Sequence, residues 1–111
     1  MTECLFCRIV AGEIPAQVVY EDDAVVAFRD VNPQAPVHVL VVPREHVPTL
    51  TAAAADLVGR VAAAATTVAA QQGIEESGYR TVVNTGPDAQ QSVPHVHLHV
   101  LGGRPMTWPP G

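Results

Sequence analysis

The sequence predicts an α+β domain in which one long helix covers one face of an antiparallel sheet. Short apolar runs bounded by turn residues in both halves of the chain predict the strands. A single alanine-rich segment between them has its larger apolar residues at helical spacing. With 111 residues the chain is long enough for one packed core, so we expect a single domain over residues 1–111.

The first half of the chain predicts a short helix and then three strands. Residues 5–11 are expected to form the helix, because a glycine follows them in the position that often ends a helix. Two apolar runs, 18–20 and 24–28, are separated by acidic turn residues and predict a hairpin. The almost continuous apolar run 37–42 predicts a third strand, which ends at Pro43 because proline has no backbone N–H.

The second half predicts the long helix, two further strands and an irregular tail. The helix is expected over residues 51–72, where alanine, the best helix former, predominates. Residues 79–84 and 93–101 predict the fourth and fifth strands of a sheet of about five strands. The tail 102–111 is rich in glycine and proline, and Trp108 within it predicts a rigid hook that packs against another surface.

Charge and hydropathy limit the partners of the chain. The formal net charge of −5 and the sequence pI near 5.3 argue against a nucleic-acid partner, because such domains carry a basic stripe. The start of the chain lacks the basic and apolar segments of a secretory signal, and no run of about eighteen apolar residues could span a membrane. We therefore expect a soluble cytoplasmic protein without a membrane partner.

Three histidines alternate with apolar residues near the end of the chain. In a strand this spacing places His95, His97 and His99 on one face and the apolar residues between them on the other. Imidazole serves as acid, base, nucleophile or metal ligand, so three on one face imply an anionic or metallic guest. A solvated face rich in histidine is the alternative, but the two remaining histidines, His38 and His46, also lie together around the third predicted strand.

The two cysteines of the chain, Cys4 and Cys7, form a C-x-x-C pair. In a reducing compartment this spacing indicates half of a metal site or a redox pair before it indicates a structural disulfide. The strand-then-helix context of a thioredoxin-like redox pair is missing. The pattern therefore favours a metal site whose other ligands come from elsewhere in the chain.

The residues that carry this chemistry resemble one known family. The sequence HVHLHVLGGR at 95–104 resembles the signature of the histidine triad family. The proline-flanked strand at 36–43 and the C-terminal letters WPPG are similar to the Hint branch of that family, in the zinc-binding form of many bacterial relatives. The likeness runs from residue 5 to the last residue and so covers nearly the whole chain.

The resemblance implies a fold and an activity. The fold is an antiparallel sheet with one long helix and a short N-terminal helix, and two chains pair into a homodimer whose sheets merge. The activity is that of a purine nucleotide-binding hydrolase that cleaves the P–N bond of nucleoside 5′-phosphoramidates, AMP linked to an amine, and also cleaves aminoacyl adenylates. Two alternatives stay open: hydrolysis of diadenosine polyphosphates or another nucleotidyl transfer, and a nucleotide-binding regulatory partner with little turnover.

Catalytic roles follow from the same resemblance. His97 is expected to attack the α-phosphorus and form a covalent nucleotidyl-histidine, if its other ring nitrogen donates to a carbonyl or a neighbouring imidazole. His99 is expected to donate to a non-bridging phosphate oxygen. His38 would orient His97, and Ser92 would hold the phosphate or the departing amine. A satisfied core histidine and a turn residue are the alternatives for these last two.

A larger set of residues is expected to bind the nucleotide. Asp30 would accept the two ribose hydroxyls, with a plain turn carboxylate as the alternative. Apolar residues would sandwich the base, although a protein core uses the same residue types. Together with the histidines, the expected nucleotide-binding residues are Leu5, Phe6, Ile9, Phe28, Asp30, Val31, Asn84, Ser92, Val93, His97 and His99.

The resemblance also supplies partners for the C-x-x-C pair. Cys4, Cys7, His46 and His95 would form a tetrahedral Cys2His2 zinc site, and four protein ligands leave no open position for catalysis. The zinc is therefore expected to be structural, and no cofactor is expected in catalysis. A reduced pair without metal is the alternative. If His95 is a ligand, its backbone carbonyl rather than its side chain serves His97.

Two residues depart from the pattern of the family. Gln90 and Pro94 stand where the best-known Hint proteins have a glycine and an aromatic residue close to the phosphate. A proline directly before the first histidine suits an edge or an entry position of a strand. Gln90 adds bulk near the expected leaving group, so both residues bear on which leaving amine is preferred.

Overall fold

A computed structural model describes residues 3–111 of the chain. Met1 and Thr2, which belong to the start from which the absence of a secretory signal was predicted, lie outside the described residues. The described part contains two α-helices, five strands and one 3-10 turn. In chain order these are α1 (Leu5–Val10), β1 (Val18–Glu21), β2 (Val25–Arg29), β3 (Val37–Pro43), the 3-10 turn (Leu50–Ala52), α2 (Ala55–Gln71), β4 (Tyr79–Val82) and β5 (Leu98–Gly102).

The five strands form one antiparallel sheet in the order β1-β2-β3-β5-β4, which confirms the predicted α+β class. Strand β5 enters between β3 and β4, so the histidine-bearing end of the chain lies inside the sheet. Leu40 of β3 pairs with His99 of β5. Because alternate residues of a strand share a face, His38 lies on the same face as Leu40 and His99.

Two apolar clusters cover the two faces of this sheet. On one face α2 packs its valines and alanines against the strands, around Val39 and Val100. On the other face, α1 packs Phe6 against Phe28 and Leu40. The prediction of one core face and one chemical face is therefore incomplete, because the short N-terminal helix gives the histidine face a core of its own.

The long helix is shorter than the predicted span 51–72. The 3-10 turn takes the first residues, and the Thr49 hydroxyl caps it by accepting the N–H of Ala52. Helix α2 then begins at Ala55 and ends at Gln71. Gly73 follows it with a φ of 75°, a left-handed conformation that glycine adopts without strain. None of the described helices is long and apolar enough to cross a membrane.

The histidine strand begins at Leu98 and not at residue 93 as predicted. Upstream of it the backbone bonds locally: the N–H of His95 donates to the Val93 carbonyl, and the N–H of Val96 donates to the Val47 carbonyl. Pro94 supplies no N–H, so the ladder cannot extend through it. As a result His99 lies in the strand, whereas His95 and His97 lie in the segment that leads into it.

The C-terminal tail has no regular secondary structure, as predicted. The Trp108 ring is 79% exposed, and the Arg80 guanidinium lies 5.8 Å from its centroid. Arg80 also donates to the Thr107 carbonyl at 3.1 Å. The predicted hook at Trp108 therefore packs on the Arg80 side chain of β4, and it belongs to neither apolar cluster.

Candidate functional site

His97 is held in one orientation by two contacts. Its Nδ1 lies 2.8 Å from the backbone oxygen of His95. A carbonyl only accepts, so Nδ1 carries the proton and Nε2 keeps a free lone pair. The ring of Phe6 packs edge-on against the imidazole with centroids 5.0 Å apart. The arrangement gives His97 a fixed ring with one nucleophilic nitrogen.

A directed chain of hydrogen bonds runs through the other two rings on this face. The backbone N–H of Gln34 donates to Nδ1 of His38 at 3.0 Å, which leaves the His38 proton on Nε2. That nitrogen lies 2.9 Å from Nδ1 of His99, so it donates there and the His99 proton is on Nε2. Among the described residues, Nε2 of His99 is buried without a hydrogen-bond partner. It is therefore an N–H donor ready for a bound acceptor.

Burial keeps these rings neutral. Burial, together with charge repulsion from His97 and His38, lowers the pKa of His99 to about 4, while Asp30 opposes the shift. Burial also lowers the pKa of His38, again against an opposing effect of Asp30. At neutral pH the hydrogen-bond chain through His38 and His99 therefore consists of neutral imidazoles, each of which donates from one nitrogen and accepts at the other.

The contact of His38 differs from the one expected. His38 was predicted to orient His97, but its ring nitrogens bond Gln34 and His99. The reason is the strand register, which places His38 diagonally across from His99 on the shared face. We therefore assign His38 to the orientation of His99, whereas the carbonyl of His95 orients His97.

Asp30 joins the same group from the end of β2. Its Oδ2 lies 3.4 Å from Nε2 of His38, and its Oδ1 accepts the N–H of Asn32 at 2.8 Å as in an Asx turn. The donor atoms of Asp30, His38 and His99 all lie within 4.8 Å of one another. A metal there would need the Nε2 of His38 without its proton, and the Gln34 N–H keeps that proton in place. The group is therefore a hydrogen-bond chain and not a metal site.

A cavity of about 310 Å³ opens beside His97 and His99. Ten residues predicted to bind the nucleotide line it: Leu5, Phe6, Ile9, Phe28, Asp30, Val31, Ser92, Val93, His97 and His99. Val31 is 99% exposed and so forms the rim, whereas Phe6 and Phe28 form the floor with ring centroids 5.6 Å apart. The volume falls at the lower end of the range of about 300–1,000 Å³ that is usual for small-molecule sites.

Sequence reasoning missed part of this cavity and placed one residue outside it. Five further lining residues were not predicted: Ile14, Pro15, Ala16, Arg29 and Leu40. The first three follow α1 in a segment whose only sequence signal was its likeness to the family. Asn84, which was predicted to contact phosphate, is not among the described lining residues. It lies two residues beyond Val82, the partner of His99 in the ladder.

The segment 85–94 carries Ser92 and Val93 to the mouth of the cavity. The Gln91 side chain fixes it, since its Oε1 accepts the N–H of Gly86 at 3.0 Å. Its Nε2 donates to the carbonyls of Pro48 and Val93, at 2.7 and 3.0 Å. The preceding Gln90 has a φ of 61°, a left-handed conformation that a glycine would adopt without steric cost.

The four predicted metal ligands lie together at the start of α1. The Sγ atoms of Cys4 and Cys7 and the Nδ1 atoms of His46 and His95 all lie within 4.8 Å of one another. The two Nδ1 atoms are 3.3 Å apart, and the sulfur to nitrogen distances are 3.2 to 3.5 Å. A tetrahedral zinc at ordinary bond lengths separates two nitrogens by about 3.3 Å and a nitrogen and a sulfur by about 3.5 Å. The donor set fits zinc.

His95 connects the donor set to the histidine pocket. Its Nε2 donates to the Pro43 carbonyl at 2.8 Å, which leaves Nδ1 with the lone pair that a metal requires. Burial lowers the pKa of His95, so the ring is neutral as a ligand must be. The backbone oxygen of the same residue accepts from His97. One residue thus faces the metal site with its side chain and the nucleophile with its main chain.

Fold and site together define one class of protein: an α+β domain in which histidines of the two central strands and of the segment before β5 lie between a pocket and a cluster of candidate metal ligands. Comparison with known proteins places the chain in that class. The HIT domain profile matches residues 11–106. The chain therefore belongs to the HIT domain family, the histidine triad family that its sequence resembles.

Individual relatives agree with the profile. The purine nucleoside phosphoramidase of Escherichia coli K12 is 45% identical over 107 residues, covering 94% of this chain and 90% of that protein. The 14 kDa zinc-binding protein of Brassica juncea is 48% identical over 114 residues, covering 98% and 100%. The crystal structure of a HIT family hydrolase from Legionella pneumophila superposes with a TM-score of 0.94 at 48% identity, covering 98% of this chain and 100% of that one. The predicted fold and family are confirmed.

Proposed function

We propose that this protein is a purine nucleotide-binding hydrolase that cleaves the P–N bond of nucleoside 5′-phosphoramidates and also cleaves aminoacyl adenylates. One observation carries the proposal: His97 presents an unprotonated Nε2 to the same cavity in which His99 has an N–H without a partner. Attack on the α-phosphorus requires a nucleophile, and a neutral hydrogen-bond donor beside it stabilises the charge that develops on the phosphate oxygen. The similarity to the phosphoramidase of E. coli supports the choice of substrate.

The first step is a displacement at the α-phosphorus. Nε2 of His97 forms a bond to phosphorus, and the bond from phosphorus to the amine nitrogen breaks. The departing nitrogen takes a proton that the Ser92 hydroxyl relays from water, which leaves a hydroxide at the mouth of the cavity, where Ser92 is exposed. The product of this step is a nucleotidyl-histidine on His97.

The second step returns the enzyme to its starting state. Water attacks phosphorus and gives one proton to the hydroxide left by the first step, the bond to Nε2 of His97 breaks, and AMP is released. The proton stays on Nδ1 of His97 and is donated to the His95 carbonyl throughout, so the ring keeps its orientation in both steps. Splitting one displacement into two gives each a better nucleophile or leaving group than the direct reaction of water with the substrate.

The remaining pocket residues bind the substrate. His99 donates from Nε2 to a non-bridging oxygen as negative charge develops there, and the backbone N–H of Val93 helps to hold the phosphate. Asp30 accepts the ribose hydroxyls. The base lies among apolar side chains of the cavity, which are Leu5, Phe6, Ile9, Phe28 and Val31.

We further propose that Cys4, Cys7, His46 and His95 hold a structural zinc ion, and the name of the B. juncea relative, a zinc-binding protein, supports the choice of metal. When bound, zinc cross-links α1, the segment after β3 and the segment before β5, and it supplies no catalytic step. Two thiolates in this arrangement suit a reducing compartment, in agreement with a cytoplasmic location. No nucleic-acid partner is proposed, because the net charge is −5.

A homodimer completes the proposal. In the described chain the edge strands β1 and β4 each have one neighbour. Pairing one of these edges with the same edge of a second copy would extend the sheet across a twofold axis. Light scattering on the purified protein tests this, and a monomer mass would contradict it.

The activity is tested with AMP linked through nitrogen to tryptamine, whose fluorescence rises on release. The wild-type chain is expected to turn it over, and His97→Ala is expected to lose turnover by at least about 10⁴-fold, since it lacks the nucleophile. Absence of turnover by the wild-type chain would contradict the proposal. Cleavage of diadenosine polyphosphates instead, or tight AMP binding without turnover, would favour the respective alternative.

A further inference from the structure

Arg104, which lies outside the cavity, forms hydrogen bonds with the loop that precedes β3. Nε and Nη2 of Arg104 both donate to the carbonyl oxygen of Gln34, at 3.2 and 2.9 Å. Its Nη1 donates to the Pro105 carbonyl at 3.0 Å. Arg104 follows β5 by two residues, so the contact ties the end of the histidine strand to a residue 70 positions earlier in the chain.

Gln34 is fixed on its other side as well. Its backbone N–H donates to His38, and its side-chain amide donates to the Asn32 carbonyl at 3.0 Å. The neighbouring segments also touch, since a Cβ placed on Gly103 would lie 2.9 Å from Cβ of Pro36. The segment 103–104 therefore determines where the Gln34 N–H stands relative to β3.

That N–H decides which nitrogen of His99 carries the proton. With Gln34 as donor, His38 accepts at Nδ1 and donates from Nε2, and His99 then presents an N–H to the cavity. Without this donor, His38 could carry its proton on Nδ1 and accept from His99 at Nε2. His99 would then present a lone pair, which repels a phosphate oxygen.

We propose that Arg104 is a positioning residue that keeps His99 in the tautomer that donates to the substrate, acting through Gln34 and His38. The role of His99 in phosphate binding rests on the proposed function, whereas the effect on its tautomer does not. Arginine suits this task, because two donors of one rigid fork meet at a single carbonyl. A lysine ammonium would bond the same carbonyl through a single N–H at the end of a flexible side chain.

Nuclear magnetic resonance of ¹⁵N-labelled histidine rings tests the proposal without substrate, since protonated and unprotonated ring nitrogens have well-separated shifts. In the wild-type chain, Nε2 of His99 is expected to be protonated and Nδ1 unprotonated. In Arg104→Ala both shifts are expected to move toward intermediate values, and Arg104→Lys is expected to lie between the two. Arg60→Ala is the control, because Arg60 pairs with Asp22 and Asp23 away from the histidine chain.

Unchanged His99 shifts in a folded Arg104→Ala would overturn the proposal, and so would shifts that move equally in Arg60→Ala. If Arg104→Ala does not fold, the Arg104→Lys chain decides in its place. Wild-type shifts in that variant, together with wild-type kinetics, would then overturn the proposal.

Kinetics separate positioning from binding. With tryptamine-linked AMP, kcat of Arg104→Ala is expected to fall about ten- to a hundredfold, the scale of a small misplacement of a catalytic group. KM is expected to change less than about twofold, and Arg60→Ala is expected to match the wild-type chain in both parameters. A change confined to KM would overturn the proposal. If the wild-type chain has no turnover, the proposed function fails while the ring shifts still decide the role of Arg104.

Discussion

The two histidine-lined regions of this molecule use the same side chain in opposite ways. At the cluster of Cys4, Cys7, His46 and His95, the donor atoms converge on one point and fit the edges of a tetrahedron. In the cavity the rings form a directed chain that ends in an N–H without a partner at His99. In each case the group bonded to one nitrogen decides what the other can do. Imidazoles thus supply candidate metal ligands in one region and a candidate nucleophile and donor in the other.

The largest effect is expected where the two regions share a residue. In Cys7→Ser the zinc site loses a thiolate, and we expect the free energy of unfolding to fall by about 3 kcal/mol or more. Turnover should fall with it, because the proposed zinc would hold His95, whose carbonyl orients His97. Urea unfolding, zinc content and turnover check this prediction.

The control is the wild-type chain treated with a chelator and then resupplied with zinc, which should recover both properties. If Cys7→Ser has the stability and the turnover of the wild-type chain, the two regions are independent and the comparison fails.

The next effect concerns the donor in the cavity. His99→Ala is expected to lower kcat about 10²–10³-fold with little change in KM, as is typical for loss of one donor to a developing oxyanion. His99→Gln should retain more activity, because its amide N–H can still donate. Steady-state kinetics on both variants measure this. A rise in KM at constant kcat would mean that His99 binds the ground state and would contradict the assigned role.

A smaller effect is expected in the pH dependence of stability. The pKa of His99 is about 4 in the folded chain and near the ordinary 6.5 when unfolded, so the unfolded chain binds the proton first. The contribution of neutral His99 to the free energy of unfolding is therefore complete above pH 6.5 and is lost as the pH falls toward 4. Urea unfolding across this range should show a steeper decline in the wild-type chain than in His99→Gln. Equal slopes would mean that His99 is not kept neutral by burial.

The smallest effect lies in the segment that borders the cavity. Gln90→Gly is expected to raise the free energy of unfolding by about 0.5 kcal/mol, because relief of the left-handed conformation slightly exceeds the entropic cost of glycine. Gln91→Gly is the matched control and should destabilise, since the Gln91 side chain makes three hydrogen bonds. Thermal unfolding of both variants measures the difference. A less stable Gln90→Gly would contradict the interpretation of this backbone position.

The comparison also shows which parts of the site a sequence can predict. The four candidate metal ligands were predicted as a complete set through the resemblance to the family, and their donor atoms lie within 4.8 Å of one another. The positions of most strands and of the long helix along the chain followed from apolar spacing. These features depend on residue type and local spacing, which the sequence contains directly.

The hydrogen-bond partner of His38 could not be predicted from local spacing, because it depends on the strand register. That His38 bonds His99 follows from the pairing of Leu40 with His99, and a strand register is set by the whole sheet. The role of Gln34 depends on a backbone N–H, so its side chain gave no signal. Pro94 indicated an edge or entry position just before the first histidine, but the alternation of histidines predicted a strand longer than the β5 that forms.

The central claim is that Nε2 of His97 is the nucleophile of the cavity. Mixing the protein with tryptamine-linked AMP, quenching at alkaline pH and mapping the digested chain by mass spectrometry tests it most directly. We expect a transient nucleotidyl adduct on the peptide that contains His97, and we expect it to accumulate further when the second step is slowed. Turnover without an adduct, or an adduct on His38 or His99, would contradict it.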